Sequence, residues 1–183
     1  MKTEILIVVD NSNVFIEGQK YSAKIKGFVK SNLNDHDPQD LSWRVDFGQL
    51  LKAVAAGRPV SNAILVGSRP PQNDSVWEAA KLSGYKVTVH DRNSQNEEKA
   101  VDTELVAQAT EIICTMPTPI DLAILSGDRD FIPLISVAHR RSWRVEMWAF
   151  KNAYNPTGQM ATSVDKICPL DNIFNEIGYC ISQ

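Results

Sequence analysis

The sequence predicts an α/β fold, a three-layer sandwich in which helices cover both faces of a central, mainly parallel sheet. Three observations carry this prediction. Short apolar runs alternate with helical patterns along most of the chain. Two of those runs, Ile5-Leu6-Ile7-Val8-Val9 and Leu122-Ala123-Ile124-Leu125, are apolar at every position, as central parallel strands must be when both faces are covered. Both runs end abruptly in polar, turn-forming residues, Asp10-Asn11-Ser12-Asn13 and Ser126-Gly127-Asp128.

The elements follow in order. Glu4–Val9 is the first strand, and Asp10 to Asn13 can cap a helix from about Val14 to Lys26. Ser31–Asp40 is rich in Asn and Asp and reads as a surface loop. Asp46–Ala56 places Phe47, Leu50, Leu51 and Val54 at helical spacing, and Gly57 stops it. Ala63–Val66 is the second strand, followed by Gly67-Ser68-Arg69-Pro70-Pro71. Ser75–Ser83 is a short helix ended by Gly84, and Tyr85–His90 alternates apolar and polar residues as an outer strand does. After the polar loop Asp91–Glu98, Val101–Thr115 is a helix. Asp121–Ser126 is a buried strand, Phe131–Arg141 a helix and Trp143–Ala149 a strand. The remainder holds a short strand near Lys166–Cys168 and a helix near Asp171–Ile177. Right-handed crossovers between parallel strands then give the sandwich.

Composition narrows the function classes. The 183 residues suit one domain with one core, so residues 1–183 are read as a single unit in which 150–183 form a C-terminal extension packed on the rest. No apolar run approaches the roughly 18–20 residues that span a bilayer, so no membrane partner is expected. Cys114, Cys168 and Cys180 form no CxxC pair, which argues against a zinc site and a disulfide framework. They read as reduced thiols of a cytoplasmic protein, with Cys114 and Cys168 expected in the core. The net charge of −3 argues against a protein that coats nucleic acid through basic excess, but not against an acidic active site. There is no GxGxxG, no GxxxxGK[ST] and no GxSxG, and His36, His90 and His139 lack metal-pair spacing.

The chemistry is left to aspartates in unusual places. Asp10 terminates the first strand at the carboxyl edge of the sheet, where open α/β sheets bind ligands. Asp128 and Asp130 leave the same edge one turn after the second fully apolar run. If the two strands are neighbours, their backbones lie about 5 Å apart. Asp102 opens the Val101–Thr115 helix, and the spacing Asp102, Val106, Ala109, Ile113 suggests that its carboxylate continues the stripe facing the sheet. Carboxylates converging on one rim repel each other unless cations bind, and an all-oxygen set without His or Cys selects Mg²⁺ or Mn²⁺. Such a site suits phosphodiester hydrolysis, with a second ion about 4 Å from the first where two are held. Each aspartate also has a plainer reading. Asp10, Asp128 and Asp130 can cap helices, and Asp102 is a favourable charge at a helix N-terminus.

These motifs resemble the NYN-domain family of the PIN-like nuclease superfamily, which includes the LabA-like proteins. The matching stretches are Ile7-Val8-Val9-Asp10-Asn11-Ser12-Asn13, Arg44 to Leu51, Gly67 to Pro71, Glu97 to Asp102, Leu125-Ser126-Gly127-Asp128-Arg129-Asp130-Phe131 and Arg144 to Ala149. The resemblance implies a PIN-like sheet ordered 3-2-1-4-5. It also implies a metal-dependent (endo)ribonuclease that leaves a 5′-phosphate, with internal or terminal cleavage left open. It makes Asp10, Asp102, Asp128 and Asp130 the metal-binding and catalytic acids, with Asn13 a nearby polar contact and Ser126 a support at the end of its strand. Two positions depart from the family pattern: Ala100, where glycine is common, and Arg129, where a small residue is common. Neither removes an acid.

Substrate contacts are expected on loops at the active edge, where Arg69, Arg92, Lys99, Arg129 and Lys151 fall. Trp43, Trp77 and Tyr154 are candidates to stack on bases, although Trp77 at helical spacing also suits the core. The partner expected is single-stranded or structured RNA, with self-association or a protein partner assigned to the tail after Ala149. Two other readings keep the same acids: a non-catalytic PIN-like module binding RNA or protein, and a phosphohydrolase of small phosphoesters.

Overall fold

A computed structural model describes residues 3–30, 36–69, 75–91 and 101–181, with Arg69 and Asp91 described by their backbone alone. The first strand, β1 (Ile5–Asp10), is buried at all six positions and lies in the middle of a six-stranded sheet. It pairs in parallel with β3 (Val60–Arg69) on one side and β5 (Asp121–Leu125) on the other. Beyond β3 lies β4 (Lys86–Asp91), and beyond β5 lie β6 (Arg144–Ala149) and β7 (Lys166–Pro169), every pair parallel. The five main strands thus take the order expected for a PIN-like sheet. The difference is at one edge, where β7 pairs with β6 and extends the sheet to six strands.

Residues alternate between the faces of a strand, so β1 feeds two cores. Ile5, Ile7 and Val9 pack in one cluster with α1 (Asn11–Ile25), α2 (Phe47–Ala55) and α3 (Ser75–Leu82). Leu6 and Val8 pack in the other with α4 (Val101–Thr115) and α5 (Ile132–Arg140). These are the three layers. By the same alternation Asp10, two residues after Val8, belongs to the face covered by α4 and α5.

A small two-stranded antiparallel sheet, β2 (Trp43–Val45) with β8 (Gly178–Cys180), was not foreseen in the sequence. It is anchored by Trp43, which is 1% exposed and stacks on Phe174 of α7 (Phe174–Ile177) at 5.5 Å between ring centroids. A Cβ on Gly18 of α1 or on Gly178 would overlap the Trp43 ring, so both glycines permit close approach. The expectation that Trp43 stacks on bases is therefore corrected: the ring is core. Trp77 is also buried, with its ring against Gly67. Of the thiols expected in the core, Cys168 is buried but Cys114 is exposed. Cys114 follows Ile113, which takes the inward position of α4, and its own position turns to solvent.

At the amino edge of the sheet, Arg58 ties the core strands together. It donates to Asp121 Oδ2 at 2.7 Å and to Glu146 Oε2 at 3.0 Å. Burial raises the Glu146 pKa, but the Arg58 guanidinium outweighs it and holds the carboxyl below its ordinary value. Arg140, Arg141 and Arg144 are exposed, at the end of the sheet away from the aspartates.

Candidate metal centre

The site is built at the carboxyl edge, where three chain segments meet. Asp10 ends β1 and caps α1 directly, so the helix begins at Asn11 rather than near Val14. Its Oδ1 accepts the backbone N–H of Asn13 at 3.1 Å and the Ser12 hydroxyl at 2.8 Å. Its Oδ2 accepts the hydroxyl of Ser126 at 3.0 Å. Asp10 is 5% exposed, and these donors support its carboxylate in a buried place. Ser126 is fully buried and its oxygen accepts the Asp128 N–H at 3.1 Å. One serine thus links the acid of β1 to the acid loop after β5.

Asp128 in turn accepts the Asp130 N–H at 3.1 Å and caps a 3-10 turn, Arg129–Phe131, that leads into α5. Helix α5 starts at Ile132, one residue later than expected, with Pro133 in its first turn. Gly127 is needed here, because a Cβ would overlap the Ala153 carbonyl oxygen. The capping readings of Asp10 and Asp128 are therefore correct, and they coexist with a shared site: the caps hold both carboxylates at the rim.

Asp102 stands in the first turn of α4. The buried stripe of that helix is Val101, Leu105, Ala109 and Ile113, one position out of phase with the stripe expected to include Asp102 and Val106. Asp102 flanks the stripe and is half-buried. From there it still reaches the cluster. Asp102, Asp128 and Asp130 each offer one carboxylate oxygen, and the three oxygens lie within 4.8 Å of one another. Oxygens on opposite sides of one Mg²⁺ lie about 4.2 Å apart, twice a bond of about 2.1 Å, so these three sit close to the span that a single hard cation imposes. The donor set is all oxygen, as Mg²⁺ and Mn²⁺ require.

Asp10 lines the same basin but lies outside that three-oxygen group. The basin also contains Asn13 and two side chains that the sequence reading missed, Glu17 and Lys20, which pair at 2.6 Å. Their signal was the i, i+4, i+7 spacing of Asn13, Glu17 and Lys20 on one face of α1. Among the described residues, Lys20 is the cation lining the basin.

The expected substrate contacts separate. Arg129 lines a neighbouring depression with Tyr154, across Gly127 and Asp128 from the basin. Lys151 is exposed after β6, where its backbone N–H donates to Asp171 at 2.9 Å, and it does not line the basin. Arg69 ends β3 at the active edge. Arg92 and Lys99 lie outside the described residues, as does Ala100.

A parallel sheet with aspartates gathered where β1, β5 and α4 converge defines a PIN-like domain with an acidic rim. The NYN domain model matches residues 6–171, and the chain belongs to that family within the PIN-like superfamily. The match runs past Ala149 into the segment holding β7. No curated protein matches the chain. Among solved structures, a protein of unknown function from Vibrio parahaemolyticus is 18% identical, with a TM-score of 0.65 over 93% of this chain and 94% of that one. That likeness shows a shared fold.

Proposed function

We propose that this chain is a divalent-metal-dependent ribonuclease, a single PIN-like nuclease domain. The observation that carries the reading is the approach of the Asp102, Asp128 and Asp130 oxygens to within 4.8 Å, from two separate segments at one sheet edge. Membership of the NYN family supports it. Asp102, Asp128 and Asp130 would hold Mg²⁺ or Mn²⁺, with Asp10 completing the charge of the site. The bound ion would acidify a water and offset charge on the phosphodiester.

The chain's own residues do the rest. Asp10, fixed by Ser12, Ser126 and the Asn13 N–H, presents a rigid negative charge beside the cluster. Lys20, paired with Glu17 at the basin wall, would meet a phosphate oxygen of the strand. Arg129 and Tyr154 flank the path on the other side of Asp128.

The test is turnover of a labelled single-stranded RNA by the purified protein with Mg²⁺ or Mn²⁺. Cleavage should stop with chelator, and Asp128→Asn should slow it by at least about 10²-fold. Metal-independent cleavage, or an unchanged rate in Asp128→Asn, would remove this site from the reaction.

A further inference from the structure

Beside the acid basin lies a second cleft of about 560 Å³, walled by α1, α3 and the small β2–β8 sheet. Ser12 and Ile16 line both, so the two spaces adjoin at the first turns of α1. The cleft is mainly apolar, with Phe15, Phe47 and Trp77 in its wall, and it carries polar groups in Gln39 and Arg44. Arg44 is held in place by the carbonyls of Leu41 and Trp43. Trp77 is 4% exposed, and among the described residues its indole N–H has no hydrogen-bond partner.

We propose that this cleft receives a nucleobase of the strand whose phosphate lies at the acids. The proposal rests on the nuclease reading and adds how the strand is gripped. A chain of net charge −3 with an acidic rim has no general basic excess to hold a nucleic-acid strand. Burying a flat ring against apolar walls adds affinity that an acidic surface does not oppose. The cleft falls in the size range of small-ligand pockets, large enough for one nucleoside. A fixed guanidinium and a side-chain amide suit the carbonyls and ring nitrogens of a base. The contacts would set which base is preferred next to the cut.

The experiment uses the full chain without metal. Adenosine, guanosine, cytidine and uridine are titrated while the Trp77 indole N–H resonance is followed, assigned through Trp77→Phe. Saturable shifts are expected with at least one nucleoside. Val76→Arg, at the 39% exposed mouth on α3, should weaken that binding at least about tenfold. Tyr179→Glu on the opposite wall should do the same. With Mn²⁺ added, hydrolysis of bis(p-nitrophenyl) phosphate should stay within about twofold of wild type in both variants while KM for RNA rises. No saturable shift with any nucleoside, or unchanged binding in both variants, would overturn the proposal. Dimerisation abolished by Val76→Arg without nucleoside binding would also overturn it, in favour of a second copy in the cleft. Nucleoside binding without hydrolysis of either phosphodiester would uphold the base site and end the nuclease reading.

Discussion

Ser126 is the residue on which the geometry of the acids turns. Its hydroxyl donates to Asp10 and accepts from the Asp128 N–H, so it sets the spacing between two segments far apart in sequence. Removing the hydroxyl leaves Asp10 Oδ2 and the Asp128 N–H short of one partner each, at about 1–3 kcal/mol for a buried group. Ser126→Ala should lower the melting temperature and weaken Mn²⁺ affinity measured by calorimetry, without removing any acid. An affinity equal to wild type would show that the serine only packs. The place of Asp10, Asp128 and Asp130 at one rim was legible because each closely follows a fully apolar strand, although Asp10 and Asp128 also serve as caps. Asp102 was found for a partly wrong reason. Its neighbour Val101, not Asp102 itself, begins the buried stripe, and the carboxylate reaches the rim from the flank. Glu17 and Lys20 were missed because charged pairs on a helix usually mark a solvated face.

At the scale of elements, α1 is fastened to the segment before β2 by a buried carboxylate. Asp40 is 3% exposed and accepts from Lys26, Ser22 and Ser42. Burial raises its pKa, but these donors outweigh it and hold the carboxyl well below the ordinary value of 3.8. A carboxyl whose pKa is lowered by folding stabilises the fold at pH above its unfolded pKa. That stability is lost as pH falls below about 4 toward the folded value. Asp40→Asn should therefore destabilise the protein at neutral pH and make its unfolding midpoint less sensitive to pH between about 4 and 2. Equal acid sensitivity in the two proteins would remove Asp40 as the cause. The long helices and strands were legible from periodicity. Strands β2 and β8 were not, because three residues carry no period and their pairing joins distant parts of the chain. Trp43 was misplaced for the same reason, since the glycines that receive its ring lie on α1 and at the start of β8.

Across the whole molecule, the two edges of the sheet divide their tasks. The carboxyl edge gathers like charges, and the amino edge holds the opposite-charge network of Arg58, Asp121 and Glu146. Arg58→Ala takes from the nearly buried Glu146 its closest cation and leaves it the Trp148 indole and Lys166 at 3.7 Å, so the loss should fall at or below the about 3–5 kcal/mol of a broken buried pair. Chemical denaturation should show that loss, while any metal-dependent turnover below the unfolding transition should persist. A loss of turnover with unchanged stability would contradict this division. The apolar runs showed which strands are central, and the order of the main strands came from the resemblance to the NYN family. The strand near Lys166–Cys168 was expected, but its place beside β6 in the main sheet needed the structure, because four residues at an edge have only one neighbour to declare their partner.

The central place of β1 has a consequence for a chain still being made. Both of its neighbours in the sheet, β3 and β5, are synthesised after it, and β5 precedes the Asp128 loop. Until the residues through Asp130 have been made and extruded, Asp10 has no Ser126 to anchor it and Asp102 has no acid loop to meet. The acidic rim therefore forms only once most of the domain is free to fold.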